Sequence, residues 1–337
     1  MTIKYIGSKR LLLPHIEGLV ESLGTIKSSA DLFTGTTRVA RMLKRRGQFV
    51  HANDILAHGE VLGRAAIATD ARDVNPATLE ELLKDLDATP PEPGYFTQTF
   101  CRDARYVHPD NGARIDAIRA RIESELTDEP LRCLALSSLL IAADRVDSTT
   151  GVQMAYLKSW APRALKTLEL KMPELIEGPG SVTRMDAAQC ARSIGPVDLA
   201  YVDPPYNQHS YLGNYHVWET LLRGDQPESY GVANKRIDCK TRKSPWNSTR
   251  FIRPAFEELV DSIDARWMIV SFNDEGALTT GEITAILETR GSVRRVDIEH
   301  PRYVGARIGI HNPSGEKVGT IGRTRNIECL FLVETRG

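Results

Sequence analysis

Val197-Asp198-Leu199-Ala200-Tyr201-Val202-Asp203-Pro204-Pro205-Tyr206 decides the reading of this chain. Its first six residues form an apolar run of strand length. The next four cannot continue it, because two prolines fix φ and remove two backbone donors. The run reads as a buried strand that delivers an acid, free carbonyls and an aromatic ring to its C-terminal end. In open α/β sheets that end is where ligands bind. Taken alone, the same residues also describe a strand closed by a proline-rich turn with a surface tyrosine.

Working outward, Ala30-Asp31-Leu32-Phe33 is a short strand ending at Gly35, and Thr36 to Arg46 follows as a basic amphipathic helix. Phe49 to Asp54 is a second strand and Ser181 to Met185 a third, ending at Asp186. The fourth carries Asp203 and follows the third with no helix recognised between them. Trp267 to Phe272 is a fifth, and Arg295 to Glu299 with Ile327 to Val333 form a final antiparallel pair. Strands separated by helices imply a mainly parallel α/β sheet. Each of the first four strands ends in, or just before, an aspartate.

Between about residues 60 and 180 the strand signals vanish. Ile115 to Leu126 and Leu131 to Asp144 read as helices, and the proline-rich Thr89 to Gly94 separates them from an earlier helical stretch. The expected organisation is a discontinuous catalytic domain, 1–59 and 181–337, interrupted by a helical insertion over 60–180. No internal repeat or low-complexity tract is visible.

The 337 residues carry a net charge of −1, with 41% hydrophobic and 26% charged residues, as in ordinary soluble domains. Polyanion contacts must therefore come from local patches. No apolar run of membrane-spanning length and no leader is seen. The five cysteines are scattered, odd in number and lack a C-x-x-C, which points to a reducing cytoplasm without structural zinc or a disulfide framework. No metal site is expected.

Asp31 to Thr37 combines a strand end, a glycine that permits close backbone approach, and a helix N-terminus with free N–H groups. It is not the G-x-G-x-x-G dinucleotide loop and also fits a generic strand–helix turn. Asp54, about twenty residues on, matches an acid that grips ribose hydroxyls, or else a helix N-cap. The basic run Lys4 to Arg10 precedes an amphipathic segment, Leu11 to Val20, and reads as a solvated face or as a cap over a cofactor.

Taken in order, these motifs resemble the adenine-specific (N6) DNA methyltransferases, and within them the alpha group with its DPPY motif. The residues that carry the resemblance are Tyr5-Ile6-Gly7-Ser8-Lys9, Asp31-x-Phe33-x-Gly35-Thr36, Asn53-Asp54, Asp203 to Asn207, Asn214-Tyr215-His216 and Ser271 to Gly276. Ala143 to Val146 and Thr149 to Gly151 extend it into the helical stretch. Where many relatives place a second glycine in the first loop, this chain has Thr37.

The resemblance implies a Rossmann-like S-adenosylmethionine-dependent methyltransferase sheet with a helical insertion and a C-terminal β-hairpin; the insertion is a candidate target-recognition lobe. It implies S-adenosyl-L-methionine as cofactor and a flipped adenine in double-stranded DNA as substrate. The catalytic residues it implies are Asp203, Pro204, Pro205 and Tyr206, with the Asp203 carboxylate and Pro204 carbonyl accepting the amino hydrogens. On the cofactor side, Asp31, Phe33 and Gly35 would meet the methionine portion, Asp54 the ribose and Asp186 the adenine, with Tyr5 and Lys9 lining the pocket.

DNA contact is expected from two basic stretches, Lys235, Arg236, Lys240, Arg242 and Lys243 with Trp246 interleaved, and the hairpin with Arg302 and Arg307. Both also read as solvated faces. A cognate restriction endonuclease or a second subunit is the partner left open, and a solitary role is the alternative to restriction–modification. The competing readings are an RNA adenine or DNA cytosine-N4 methyltransferase, or a silent DNA-binding subunit.

Overall fold

The computed structural model describes residues 3–206, 210–274, 276–301 and 325–336, and for 300, 301, 325 and 326 the backbone alone. The chain opens with α1 (Leu13–Ser22) and alternates β1 (Ser28–Asp31), α2 (Arg38–Arg45), β2 (Phe49–Asn53) and α3 (Ala57–Gly63). Three longer helices follow, α4 (Pro76–Asp87), α5 (Pro109–Glu125) and α6 (Glu129–Arg145). The chain returns through β3 (Gly180–Thr183), α7 (Ala187–Ile194), β4 (Val197–Val202), α8 (Tyr211–Asn214) and α9 (His216–Arg223). A short ribbon, β5 (Ser229–Tyr230) with β6 (Lys235–Arg236), precedes α10 (Ile252–Ser262), β7 (Ala265–Asn273), α11 (Thr280–Glu288), β8 (Gly291–Pro301) and β9 (Arg325–Thr335).

The main sheet has seven strands in the order β3-β2-β1-β4-β7-β9-β8. Its first five run parallel, while β9 is antiparallel to both β7 and β8, which makes the C-terminal hairpin. The chain moves outward from β1 through β2 to β3, then crosses back to β4 on the other side of β1. That reversal opens a crevice beyond the C-terminal ends of β1 and β4. Asp31 is the register partner of Tyr201, so Asp203 emerges on the neighbouring strand just past the level of Asp31.

Helix α7 and the β5–β6 ribbon are elements that sequence reading passed over; the helix bears on the site. It has only eight residues, is rich in small side chains, and starts at Asp186, whose Oδ1 accepts from the Ala188 and Gln189 N–H groups. The aspartate that looked like a strand end is the cap of the next helix.

Helices cover both faces of the sheet. On one, α7, α10 and α11 bury Phe256, Ile283 and Leu287 against Met268, Phe272 and Phe331. On the other, α1 and α2 bury Ile16 and Leu43 against Leu199 and Ile269. A third apolar cluster joins α3 to α6, and α6 is buried on nearly every side, as its all-round apolar sequence requires. Trp218 and Leu221 of α9 pack into this cluster. The helical layer is thereby anchored to the segment that follows the Asp203–Tyr206 turn. Among the described residues no helix is long and apolar enough to cross a membrane.

Candidate active site

Asp203 leaves β4 into the crevice with its side chain 17% exposed, and Oδ1 lies 2.9 Å from the Lys9 ammonium. Burial pushes its pKa up to about 6, against the pull of Lys9. Tyr206 is half-buried and packs against Phe272, with ring centroids 5.7 Å apart, while its carbonyl accepts from Ala277 N–H at 3.1 Å. These contacts fix the direction in which the turn leaves the strand. Asn207 lies outside the described residues.

The first loop is built on left-handed backbone. Gly35 has φ +47°, and a Cβ there would stand 3.2 Å from the Tyr5 ring. Thr37 takes φ +62°, unusual for a β-branched residue. Its hydroxyl is held on both sides, donating to Thr36 O at 2.6 Å and accepting from Arg41 Nε at 2.7 Å. Asp31 Oδ2 accepts from Ala40 N–H at 3.1 Å, while buried Oδ1 has no hydrogen-bond partner among the described residues. Burial, and then Asp203, push Asp31 up to about 7.

Asp54 ties this loop to β2. Its Oδ2 accepts from Gly35 N–H at 2.8 Å and its Oδ1 from Leu56 N–H at 2.9 Å. Burial raises its pKa. Gly59 on α3 lies so close that a Cβ would fall 2.4 Å from the Asp54 side chain, so only glycine lets the carboxylate keep this place. Asn53 staples the strand ends, donating to the carbonyls of Leu32 at 3.2 Å and Met185 at 3.1 Å.

A cavity of about 320 Å³ opens here, lined by Tyr5, Phe33, Asp54, Asp186, Asp203 and Trp246 among others. A smaller recess of about 40 Å³ beside it is lined by Lys9, Asp31, Gly35 and Asp203. The structure thus brings the seven residues expected on the cofactor side next to the Asp203–Tyr206 turn. The N-terminal segment closes one wall. Tyr5 stacks on Tyr215 at 4.6 Å, Ile6 N–H donates to the Tyr215 hydroxyl at 2.6 Å, and the Tyr211 hydroxyl donates to Ile6 O at 3.3 Å.

The first basic stretch is arranged differently from the expectation. Arg236 is 1% exposed and cannot face DNA. It is gripped by both Asp225 oxygens at 2.7 Å, by Asp238 at 3.0 Å and by the Thr220 hydroxyl at 3.1 Å. Its desolvation is offset by these fixed anions. Arg236→Ala should therefore lower stability by about 3 kcal/mol and leave the salt slope of DNA binding unchanged, read by denaturant melts and by titrations in increasing salt.

Arg242 and Lys243 line the cavity itself, Arg242 held by Glu219 at 3.3 Å and Lys243 donating to Cys239 O at 3.1 Å. Trp246, read in sequence among charges, is 6% exposed and meets Phe33 edge-on at 5.3 Å, lining the same cavity as Asp54. Lys240 is exposed, with Nζ 4.2 Å above the Tyr230 ring, and Lys235 is half-buried. Arg302 and Arg307 lie outside the described residues.

A family model described as D12 class N6 adenine-specific DNA methyltransferase matches residues 5–271. Among similar proteins, type II methyltransferase M.NlaIII of Neisseria lactamica is 32% identical over 89% of this chain and 92% of its own length. Type II methyltransferase M.CviAII of Paramecium bursaria Chlorella virus 1 is 29% identical over 89% of this chain and 92% of its own. Modification methylase StsI of Streptococcus sanguinis is 31% identical over 89% of this chain, which spans 48% of that protein. With the switch-point crevice and the Asp203 turn in place, the match over most of the sequence settles the assignment: this chain belongs to the D12 class of N6 adenine-specific DNA methyltransferases.

Proposed function

We propose that the chain moves a methyl group from S-adenosyl-L-methionine to the exocyclic amino group of an adenine turned out of double-stranded DNA, with Asp203 and the Pro204 carbonyl as the two acceptors. The observation that carries this reading is that Asp203 and the cofactor-side residues Phe33, Asp54 and Asp186 line one cavity.

The residues suit a cationic nucleoside. Asp31 has a buried Oδ1 with no partner among the described residues, and Gly35 leaves room that a side chain would fill. Phe33 and Trp246 supply flat apolar walls, and Asp54 retains lone pairs for a ribose diol. When bound, the sulfonium cofactor supplies an activated methyl group.

The chain's own part is orientation. An adenine amino group is a poor nucleophile because its lone pair is delocalised into the ring. Two acceptors on its hydrogens would draw that pair out of conjugation and aim it. Tyr206, braced by Phe272, would stack on the base. Asp203 acts only as an acceptor, so it must be ionised. Single-turnover methylation should therefore fall as pH drops through about 6, where the carboxylate takes a proton. A rate that is flat between pH 5 and about 8 would exclude an obligatory Asp203 carboxylate.

DNA contact is assigned to Lys243 on the cavity wall, to the neighbouring Lys235 and Lys240 of the same basic stretch, and to the 60–180 helical lobe, the latter serving target recognition. Lys240→Ala should reduce the slope of log affinity against log salt by about one unit; an unchanged slope would remove it from the phosphate path. Relatives named type II methyltransferases and modification methylases support a modification role beside a cognate restriction endonuclease.

A further inference from the structure

Two residues outside the acceptor pair reach the catalytic turn from opposite ends of the chain. Lys9 comes from the N-terminal segment and is 6% exposed, and its Nζ lies 2.9 Å from Asp203 Oδ1 and 5.6 Å from the Tyr206 ring centroid. Glu328 comes from β9, which runs antiparallel to β7 and so returns to the catalytic edge with Glu328 paired to Asn273. It is 9% exposed, and its Oε2 faces Lys9 Nζ at 3.6 Å. That oxygen accepts no hydrogen bond among the described residues.

An ammonium on one oxygen of a buried carboxylate does two things. It favours the ionised form, and it fixes which oxygen remains for an incoming donor. A lysine held by that carboxylate alone would also compete with the substrate for it. A second anion behind the lysine relaxes that competition.

We propose that Lys9 and Glu328 are positioning residues for methyl transfer: Lys9 occupies Oδ1 of Asp203 so that Oδ2 is presented to the adenine amino group, and Glu328 restrains Lys9 so that Asp203 stays a strong acceptor. The inference rests on the reading of Asp203 as that acceptor.

The groups facing Asp203 set the signs. Tyr201 and Tyr206 flank it on its own segment, Asp31 stands on β1, Tyr5 and Lys9 on the N-terminal segment, Tyr211 on α8 and Glu328 on β9. The cation among them is Lys9. Removing it raises the pH at which Asp203 ionises, whereas removing the Glu328 charge lowers it.

The test is single-turnover methylation of genomic DNA from a methylation-free host between pH 5 and about 9, with cofactor binding measured by calorimetry on every variant. Lys9→Met should lose about tenfold in rate at pH 7, with its acid limb moved alkaline by about two units and much of the rate recovered at pH 9. Glu328→Gln should move the limb the other way, toward acid. Lys9→Arg should restore the wild-type limb, and Glu328→Gln, outside the cofactor-side residues, should keep cofactor Kd within about threefold.

Opposed shifts support the proposal. Limbs that stay in place, or that move in the same direction in both variants, overturn it while leaving Asp203 as acceptor if Asp203→Ala is inert. Wild-type turnover by Asp203→Ala would overturn the acceptor reading and this inference together.

Discussion

Asp203→Ala should lower the single-turnover rate of methyl transfer by at least about 10³-fold while S-adenosyl-L-methionine binding changes by less than about threefold. The split follows from where the carboxylate sits. Asp203 lines the cavity wall at the end of β4, whereas the loop from Asp31 to Thr37 and the Asp54 carboxylate, which would hold the cofactor, are fixed by contacts that do not involve it. Alanine removes the acceptor that would aim the amino lone pair and leaves Lys9 with Glu328 as its remaining anionic neighbour in an ion pair. Asp203→Asn would be nearly as inert, since its amide presents a donor on one side and breaks the pairing with Lys9. Retained turnover in the alanine variant would remove Asp203 from the chemistry.

The second large effect is on the cofactor. Asp54→Ala should raise its Kd about 100-fold, about 3 kcal/mol, as measured by calorimetry. Two losses act together. The ribose would lose its acceptor, and the buried N–H groups of Gly35 and Leu56 would lose theirs, at about 1–3 kcal/mol each if water cannot replace it. Gly59→Ala separates the two. It keeps the carboxylate but places a Cβ where Asp54 now stands, 2.4 Å from its side chain, so the carboxylate must shift and affinity should fall in the same direction. An unchanged Kd in both variants would reduce Asp54 to a clip between loops.

Among the parallel strands, β2, β4 and β7 were legible as largely apolar runs that stop at or next to an acid, and β4 adds two prolines that forbid any other ending. The helical stretch was legible from α6, whose apolar residues on every side belong only to a buried helix. What escaped depends on partners distant in sequence. Helix α7 is too short for its periodicity to register, and its cap, Asp186, looks like the end of the strand before it.

Charge alone misplaced Arg236. Spacing cannot tell a solvated arginine from one buried among Asp225 and Asp238, although an acid two residues away was a visible warning. Trp246 read as part of a nucleic-acid surface because its neighbours are basic, but it is buried against Phe33, from the loop after β1, and Phe256 of α10. Glu328 carried no local signal at all. Only the antiparallel register of β9 against β7 returns it to the sheet edge where Lys9 and Asp203 meet.

The most direct measurement is single-molecule sequencing of DNA from a methylation-free bacterial host expressing this chain, beside a host expressing Asp203→Ala. The account predicts N6-methyladenine at one recurring sequence in the first and none in the second. Unmodified DNA in both, methylation on the cytosine amino group instead, or methyladenine persisting with Asp203→Ala would contradict it.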